Sequence, residues 1–330
     1  MKILSPMPAG SGAIVIHRQL EARLRGYKVI GYNPMWEYAP FLLGRFSNRR
    51  ADLIHTVADH AYFLAQHDVP LVVTFQNYVL DSFMRPYSSL AQRIHYRTDL
   101  RLFTQLALKR AAVVTAVSQF TADLMKQDMP FSGQVRVIPN AIDSDVFHPT
   151  NGNRPAQTRV LFSGNMTIRK GAPTLPTISR HLGSGIKLIC ATGLRSGAAA
   201  FVDDSFKCIG PVPYQEMPNL YNSVDILLMP TVREGLSLAV LEAMACGLPI
   251  VTTDCSSMPE LVHHEKGGFL CSLGDAEDYA QKINLLAEAP QLRRTMGEYN
   301  RARIESCYRL ETMLQSYRDL FEEVLSRRSQ

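Results

Sequence analysis

Two glutamates, Glu234 and Glu242, stand in the most informative segment of the sequence. A buried apolar run leads into a short loop with Glu234 and Gly235, and a helix is predicted to begin near Ser237. Glycine lets the loop backbone approach a ligand closely, and the free N–H groups of a helix's first turn bind phosphate. Glu242 falls within that helix among apolar residues, where a carboxylate needs donors such as the two hydroxyls of a ribose. The segment predicts a site for an anionic sugar derivative; a surface loop acid and a solvated helix residue are equally good interpretations of the pair.

A glycine followed by a basic pair forms the second candidate site. The predicted strand 160–163 ends at Gly164 and Asn165, and Arg169 and Lys170 precede the next predicted helix. A cation after the first strand of a doubly wound domain faces the crevice in which anions bind. Arg169 and Lys170 are therefore candidates to neutralise a diphosphate, with an exposed basic turn as the alternative.

Gly10 and Gly12 form a third candidate, the turn after the first predicted strand. The segment is not a GxGxxG motif, because Val15 occupies its last position and no acidic residue ends the second strand near Tyr32. This departure argues against a nicotinamide or flavin dinucleotide site. The two glycines still predict a flexible turn at the start of a helix, facing a cleft.

Short apolar runs alternate with longer amphipathic stretches through both halves of the chain. The predicted strands are 2–4, 28–32, 53–55, 71–75, 113–116 and 135–138, then 160–163, 187–191, 226–229 and 249–252. The predicted helices include 14–24, 90–109, 238–245, 275–288, 291–307 and a late run at 310–325. This alternation indicates right-handed crossovers and parallel sheets.

A turn-rich segment, 139–158, separates the two halves. We therefore predict an α/β protein with two doubly wound Rossmann-like domains, residues 1–150 and 151–309, and a C-terminal helix, 310–330, packed away from the second domain. Domains of this kind that face one another place a ligand at the carboxyl ends of their strands.

Composition fits an enzyme-sized globular chain of 330 residues with a formal net charge of +5. The whole surplus falls in residues 1–150, which is a weak indication of an anionic partner. The stretch 90–110 is basic and amphipathic and suits an anionic lipid surface, although a helix packed on the sheet with a basic outer face is the favoured alternative. Neither a membrane-spanning stretch nor a signal peptide is apparent, so we expect a cytoplasmic protein. The six cysteines lack metal-ligand spacing, and we predict free thiols and no metal.

Taken together, these segments resemble the retaining glycosyltransferases of family 4, which have the two-domain GT-B fold. The stretch from Glu234 to Glu242 is similar to that family's E(x7)E motif, and its continuation AMACGLPIVTTDCSSMPELV, with the later GGFL, resembles the family's following region. Also similar are Ala116-Val-Ser118, Pro139-Asn140 and Cys208-Ile-Gly210. The resemblance covers nearly the whole chain and implies a GT-B fold whose last helix crosses back to the first domain.

The resemblance also implies roles for individual residues. Glu242 matches the acid that binds the ribose of the nucleotide, Glu234 the acid that contacts the donor sugar, and Lys170 the lysine that binds the diphosphate. Backbone at Gly235, Leu236 and Ser237 would hold sugar and phosphate, and the segment around Val212 would touch the base.

Two positions depart from the family pattern. Asn165 replaces an arginine of the family, so one of two cations is missing unless Arg169 takes its place. Gln76 replaces a histidine that contacts the donor sugar near the reacting centre in many members. Glutamine keeps a hydrogen bond at this place but cannot carry charge. We therefore take Glu234, Lys170 and Gln76 as the candidate catalytic residues.

The activity implied is transfer of a hexose, with retention and without a metal ion, in cell-surface polysaccharide or glycolipid biosynthesis. The donor would be a nucleotide diphosphate sugar, UDP- or GDP-linked, which is a co-substrate, and no cofactor is expected. The acceptor would be a hydroxyl of a glycan or lipid-linked glycan. We expect no nucleic acid partner and peripheral contact of the basic half with the inner face of a membrane. The alternatives are a GT-B-fold nucleotide-sugar epimerase and a non-catalytic nucleotide-sugar binding protein.

Overall fold

The computed structural model of the chain describes residues 1–46, 50–150, 157–192 and 204–327. Its contacts divide the chain into two units: Met1–Asn140 together with the segment from Glu311 onwards, and Ala141–Leu310. The sequence predicts the corresponding boundaries at 150/151 and 309/310. Residues 141–149 lie with the second unit because the guanidinium of Arg301 donates hydrogen bonds to the carbonyls of Ser144 and Phe147.

The first unit contains a six-stranded parallel sheet of order β2-β1-β3-β4-β5-β6. Its strands are β1 (Ile3–Pro8), β2 (Tyr27–Tyr32), β3 (Leu53–Val57), β4 (Leu71–Phe75), β5 (Ala111–Ala116) and β6 (Val135–Val137). Its helices are α1 (Gly12–Arg23), α2 (Ala61–Leu64), α3 (Leu90–Arg97), α4 (Asp99–Arg110), α5 (Gln119–Asp128) and the C-terminal α12 (Leu310–Ser326), with 3₁₀ segments at Pro34–Tyr38, Pro40–Phe46 and Ser82–Tyr87. All six strands predicted for this half overlap the observed ones.

The second unit also contains a six-stranded parallel sheet, of order β12-β11-β10-β7-β8-β9. Its strands are β7 (Thr158–Gly164), β8 (Ile186–Thr192), β9 (Lys207–Gly210), β10 (Ile226–Met229), β11 (Ile250–Thr253) and β12 (Gly268–Cys271). Its helices are α6 (Leu175–Arg180), α7 (Met217–Asn222), α8 (Leu238–Ala245), α9 (Met258–Leu261), α10 (Ala276–Glu288) and α11 (Pro290–Cys307). The sequence analysis missed β9 and β12 because both are short edge strands without a long apolar run. The predicted α/β class with two Rossmann-like sheets is confirmed.

The stretch 90–109, predicted as one helix, is two helices that meet at Thr98. The backbone of Thr98 lies at φ −110° and ψ −99°, outside the helical region, and its hydroxyl donates to the carbonyl of Ile94 over 2.8 Å. As a result α4 buries Leu100 and Leu108, whereas α3 buries none of its residues. The interpretation of a helix packed on the sheet is therefore right for α4 and wrong for α3. In the described part of the chain, no helix has the length and apolar character needed to cross a membrane.

Two buried histidines form the centre of a polar network in the core of the first unit. The rings of His17 (α1) and His55 (β3) are stacked with centroids 4.5 Å apart, and the hydroxyl of Tyr27 lies 2.8 Å and 2.7 Å from their Nδ1 atoms. From α12, Tyr317 and Phe321 pack on the ring of His55. Because charged imidazole is poorly solvated there, burial lowers the pKa of His17 to about 3 and that of His55 well below its ordinary value.

This network predicts acid sensitivity of the first unit. Both histidines are neutral when folded but bind protons near pH 6.5 when unfolded, so stability is complete above that pH and is lost as the pH falls. At pH 4 the loss from His17 alone should be about 3 kcal/mol. Thermal melts between pH 7 and pH 4 measure it. His17→Gln should flatten the dependence, while His67→Gln, at an exposed position, should leave it unchanged; equal slopes in all three proteins would contradict the assignment.

Candidate functional site

The order of the second sheet reverses between β7 and β10. Strands β8 and β9 continue from β7 on one side, and β11 and β12 continue from β10 on the other. In doubly wound sheets, ligands bind in the crevice outside the carboxyl ends of the strands at such a reversal. The loop after β7 carries Arg169 and Lys170, and the loop after β10 carries Glu234, so the topology places these residues at the crevice.

Lys170 and Glu234 form an ion pair there in which Glu234 is buried and Lys170 is half-buried. The Lys170 Nζ atom lies 2.6 Å from Glu234 Oε1, and the same oxygen is 2.9 Å from the hydroxyl of Thr231 and 4.0 Å from a guanidinium nitrogen of Arg169. Burial by itself would raise the pKa of Glu234, but the charges of Lys170 and Arg169 and these hydrogen bonds outweigh it and leave that pKa below its usual range. The interpretation of Glu234 as a surface acid is therefore wrong.

The two loops are also bound together through their backbones. The N–H of Val232 donates to the carbonyl of Arg169 over 2.8 Å, and the Arg169 guanidinium donates to the carbonyl of Arg233 over 3.0 Å. On the other side, the hydroxyl of Ser256 accepts from the Glu234 N–H and donates to the Glu234 carbonyl, both over 2.7 Å. The position of the Glu234 carboxylate is thus fixed from both sides.

Gly171 makes the close approach of these loops possible. Its backbone lies at φ 78°, and a Cβ atom there would come within 1.9 Å of the Pro230 carbonyl oxygen. We expect Gly171→Ala to lower the free energy of unfolding by about 3 kcal/mol or more, since strain and a backbone clash combine. Gly185→Ala is the matched control, because its Cβ meets no atom within 4 Å. Denaturation of both variants measures the effect, and equal stability would show that the loops are not held this closely.

Glu242 is buried in α8, and among the described residues its carboxylate has one hydrogen-bond donor, Tyr221 of α7. The Tyr221 hydroxyl lies 2.8 Å from Glu242 Oε2 and 3.5 Å from the hydroxyl of Ser163, at the end of β7. Burial raises the pKa of Glu242 to about 7, and the hydrogen bond from Tyr221 offsets only part of the shift. The interpretation of Glu242 as a solvated residue is wrong. A carboxylate so poorly compensated is ready to accept hydrogen bonds from a ligand.

Between the two acids, the loop backbone leads into the first turn of α8. Gly235, Leu236 and Ser237 are buried, and Ser237 is the N-cap residue of the helix. The Ser237 hydroxyl makes no capping bond and has no hydrogen-bond partner among the described residues. A buried hydroxyl and the N–H groups of a helix start therefore lie at the same crevice, which is an arrangement that binds phosphate.

The remaining predicted residues are distributed over both units. Gly164 is the last residue of β7 and Asn165 follows it directly, whereas Val212 follows the edge strand β9. Gly10, at φ 71°, and Gly12 join β1 to α1 in the first unit. Gln76 follows β4; its Oε1 accepts from Asn140 over 3.1 Å, and its buried Nε2 has no partner in the described part of the chain.

The sequence analysis missed several residues of the site. Tyr221 and Ser163 lie outside the quoted motif, and nothing in their spacing relates them to Glu242. Thr231 and Arg233 lie in the same loop as Glu234, and both are buried. The apolar run 226–229 directly before this loop could have indicated that the loop is buried. In the first unit, considered by itself, Asp59 and His60 follow β3 at the reversal of its sheet between β1 and β3, on the strand next to the one that Gly10 follows.

Metal ligation receives no support from the described residues, among which no three His, Cys, Asp or Glu side chains are arranged to hold an ion. Within the same ranges, the cysteines are free. The sequence contains one further acidic pair, Asp203-Asp204, which we interpret as a solvated face and not as a metal site; Asp204 is exposed, and Asp203 lies outside the described residues.

Comparison with known proteins gives matches to two family models and to many solved structures. The sucrose-phosphate synthase of Thermosynechococcus elongatus has a TM-score of 0.86 at 18% identity, over 99% of this chain and 100% of that one. The HepE protein of Anabaena, solved in complex with UDP and glucose, has a TM-score of 0.79 at 19% identity, over 98% and 100%. These likenesses show the GT-B fold.

Similarity to curated sequences is more distant and partial. The sulfoquinovosyl transferase SQD2 of Arabidopsis thaliana is 23% identical over 90% of this chain and 64% of its own length. Two further curated relatives are matched over 26% and 51% of their lengths. This chain thus spans between about a quarter and two thirds of these relatives.

The two family models cover different parts of the chain. Residues 3–146 match the model described as Glycosyltransferase Family 4, and residues 194–303 match that of glycosyl transferases group 1. The second match contains the ion pair's Glu234, the buried Glu242 and the helix start between them. The chain belongs to the group 1 glycosyltransferases of family 4.

Proposed function

We propose that this protein is a retaining glycosyltransferase that moves a hexose from a nucleotide diphosphate sugar to an acceptor hydroxyl. The observation that carries the proposal is the Lys170–Glu234 ion pair at the sheet reversal, beside the start of α8. Sugar transfer leaves negative charge on the departing diphosphate, and fixed donors aimed at that charge lower the barrier. Lys170, Arg169 and the N–H groups after Ser237 would supply them without a resident metal ion.

Glu234 has two tasks under this proposal. It holds Lys170 in the crevice through the 2.6 Å contact, and its second carboxylate oxygen is left to accept from hydroxyls of the donor sugar. Because its pKa is below the usual range, the carboxylate is ionised throughout the neutral range. Retention would then follow a front-side route in which the departing phosphate accepts the proton of the acceptor hydroxyl.

Glu242 would bind the ribose. Its raised pKa reflects a carboxylate short of donors, and two ribose hydroxyls would supply them. The segment around Val212 would contact the base. Because HepE was solved with UDP and glucose, we propose UDP as the first nucleotide to test and GDP as the second.

The first unit would bind the acceptor at the carboxyl edge of its sheet. A Cβ atom at Gly12 would meet no atom within 4 Å, so space remains at the start of α1. The buried Nε2 of Gln76, which has no partner among the described residues, offers a donor beside β4. A glycan or lipid-linked glycan presents the hydroxyls such an edge would receive. We therefore place the reaction in polysaccharide or glycolipid assembly.

Incubation with UDP-, GDP- and ADP-sugars, with and without glycan acceptors, tests the proposal. We expect release of one nucleotide diphosphate that increases with acceptor, and an NMR spectrum of the product that shows the donor's anomeric configuration. A new sugar nucleotide formed without acceptor would instead indicate the epimerase. Binding of nucleotide without turnover of any donor would favour the non-catalytic alternative, which Gln76 and Asn165 suggest.

A further inference from the structure

More than half of the large apolar side chains exposed in the described residues lie in two segments of the first unit. One segment, on 3₁₀ turns, exposes Met35, Tyr38 and Phe41; the other exposes Phe83, Leu90, Ile94 and Leu102. Singly exposed apolar residues are ordinary, but concentrations of them mark interaction surfaces. These two segments therefore need an explanation that the crevice of the second unit does not provide.

Helix α3 is the centre of the second segment and is ordered by local contacts. Ser89 and Gln92 form a complete capping box at its start, and its main neighbour is α4. Leu90 is 72% exposed and Ile94 is 57% exposed, and they lie one turn apart on the same side of the helix. An apolar stripe thus remains on a helix that buries none of its own residues.

Positive charge accompanies this stripe. Residues 82–97 contain three arginines, Arg85, Arg93 and Arg97, and no acid. Arg85 and Arg97 are exposed and have no acidic partner among the described residues, whereas Arg101 of α4 is already paired with Asp128. The unpaired charge therefore lies on α3 and the turn before it, next to the exposed leucine and isoleucine.

A recess of about 630 Å³ opens between α3 and the turn that precedes it. Its lining is apolar at Leu80, Met84, Leu90 and Ile94 and cationic at Arg93 and Arg97. It also includes Asp81, and Asp128, whose charge is paired with that of Arg101. An apolar floor with guanidinium groups beside it suits an amphiphile that has a phosphate headgroup.

The first segment lies in the same helical layer. The turn Pro40–Phe46 packs on α2, α2 packs on α4, and α4 packs on α3. It carries its own cation, Arg45, over the ring of Trp36. The two apolar segments, each with arginines, are thus connected through α2 and α4.

We propose that this surface, α3 with Phe83 and Arg85 and the turn at 35–41, docks on an anionic phospholipid bilayer. Leu90, Ile94 and the aromatic residues would enter the interface, and Arg85, Arg93 and Arg97 would bind lipid phosphates. A zwitterionic surface has no net negative charge to attract these arginines, so it would satisfy mainly the apolar part of this arrangement. The inference is independent of the proposed function, because docking requires neither nucleotide nor acceptor.

Cosedimentation of the full chain with vesicles tests the proposal. We expect binding to vesicles of phosphatidylcholine with phosphatidylglycerol, little binding to phosphatidylcholine alone, and loss of binding at high salt. Leu90→Gln/Ile94→Gln should lower the partition coefficient by about tenfold or more. Arg85→Gln/Arg97→Gln should lower it by about fivefold for each arginine.

Matched controls come from the second unit. Leu285→Gln removes a leucine that is 46% exposed on α10, and Lys187→Gln/Lys207→Gln removes two exposed cations; both proteins should bind as the unmodified chain does. Circular dichroism and thermal melts would confirm that the α3 variants fold. The proposal would be overturned if the unmodified chain did not bind vesicles, or if the α3 variants bound them as well as the unmodified chain does. It would also be overturned if the chain formed a dimer that the Leu90/Ile94 variant loses and bound no vesicles.

Discussion

Replacement of Lys170 by methionine should lower the rate of sugar transfer by about a hundredfold to a thousandfold. The methionine keeps the length of the side chain but removes the charge that we propose faces the departing diphosphate. Nucleotide affinity should fall less than turnover, because the charge on the diphosphate increases in the transition state. Steady-state kinetics with the donor that the incubation experiment identifies separates the two effects.

The substitution of Lys170 should also change the pKa of Glu234. Without Lys170 its carboxylate keeps Thr231 and the more distant Arg169, so its pKa should rise while the fold persists. Lys187→Met, at an exposed position of β8, is the control for loss of a lysine from the same unit. If the Lys170 variant turned over as fast as the control, the diphosphate role would be wrong.

Glu242→Gln should weaken nucleotide binding by about tenfold to a hundredfold. The amide preserves the shape of the side chain and can still accept from Tyr221, but it loses the charge that strengthens hydrogen bonds from ribose. Stability should not fall, because an uncharged amide costs less to bury than a carboxylate. Calorimetric titration gives the affinity, and a thermal melt of the same sample gives the stability.

The same carboxylate predicts how binding depends on pH. In the free protein Glu242 takes up a proton as the pH falls through about 7, and the ribose hydroxyls favour its ionised form. Affinity should therefore be level above pH 7 and fall by about tenfold per unit below it. The nucleotide phosphate itself titrates near pH 6, and this titration changes the affinity of the unmodified protein and of the Glu242→Gln variant equally. The difference between their two pH profiles therefore reports Glu242 alone.

Glu288→Gln provides the control for this pair of experiments, since Glu288 is exposed at the end of α10. It should bind nucleotide with unchanged affinity and show the pH dependence of the unmodified protein. Identical profiles in the Glu242 and Glu288 variants would remove Glu242 from the ribose site.

Periodicity and turn residues predict most of this fold from the sequence. Apolar runs such as 71–75 and 226–229 match buried central strands, and the helix predicted at 238–245 has the observed bounds. The edge strand β9 was not predicted, because its exposed alternate residues give it no apolar run. The break at Thr98 was not predicted either, since threonine is compatible with helix and only the backbone shows the change of direction.

The sequence indicates individual candidate residues more readily than the contacts between them. A glycine, an acid or a basic pair after an apolar strand is visible in the sequence and indicates Glu234 and Lys170, and the resemblance to the E(x7)E motif indicates Glu242. The pairing of Lys170 with Glu234 depends on which strands are neighbours, and Tyr221 reaches Glu242 from another helix. Such contacts between distant parts of the chain leave no local pattern.

Calorimetric titration of the full chain with UDP and with GDP at neutral pH tests the central claim most directly. The account predicts saturable binding of one nucleotide diphosphate at one site, weakened by Glu242→Gln and unaffected by Glu288→Gln. If neither nucleotide binds, or if both variants bind as the unmodified protein does, the crevice between β7 and β10 is not the donor site.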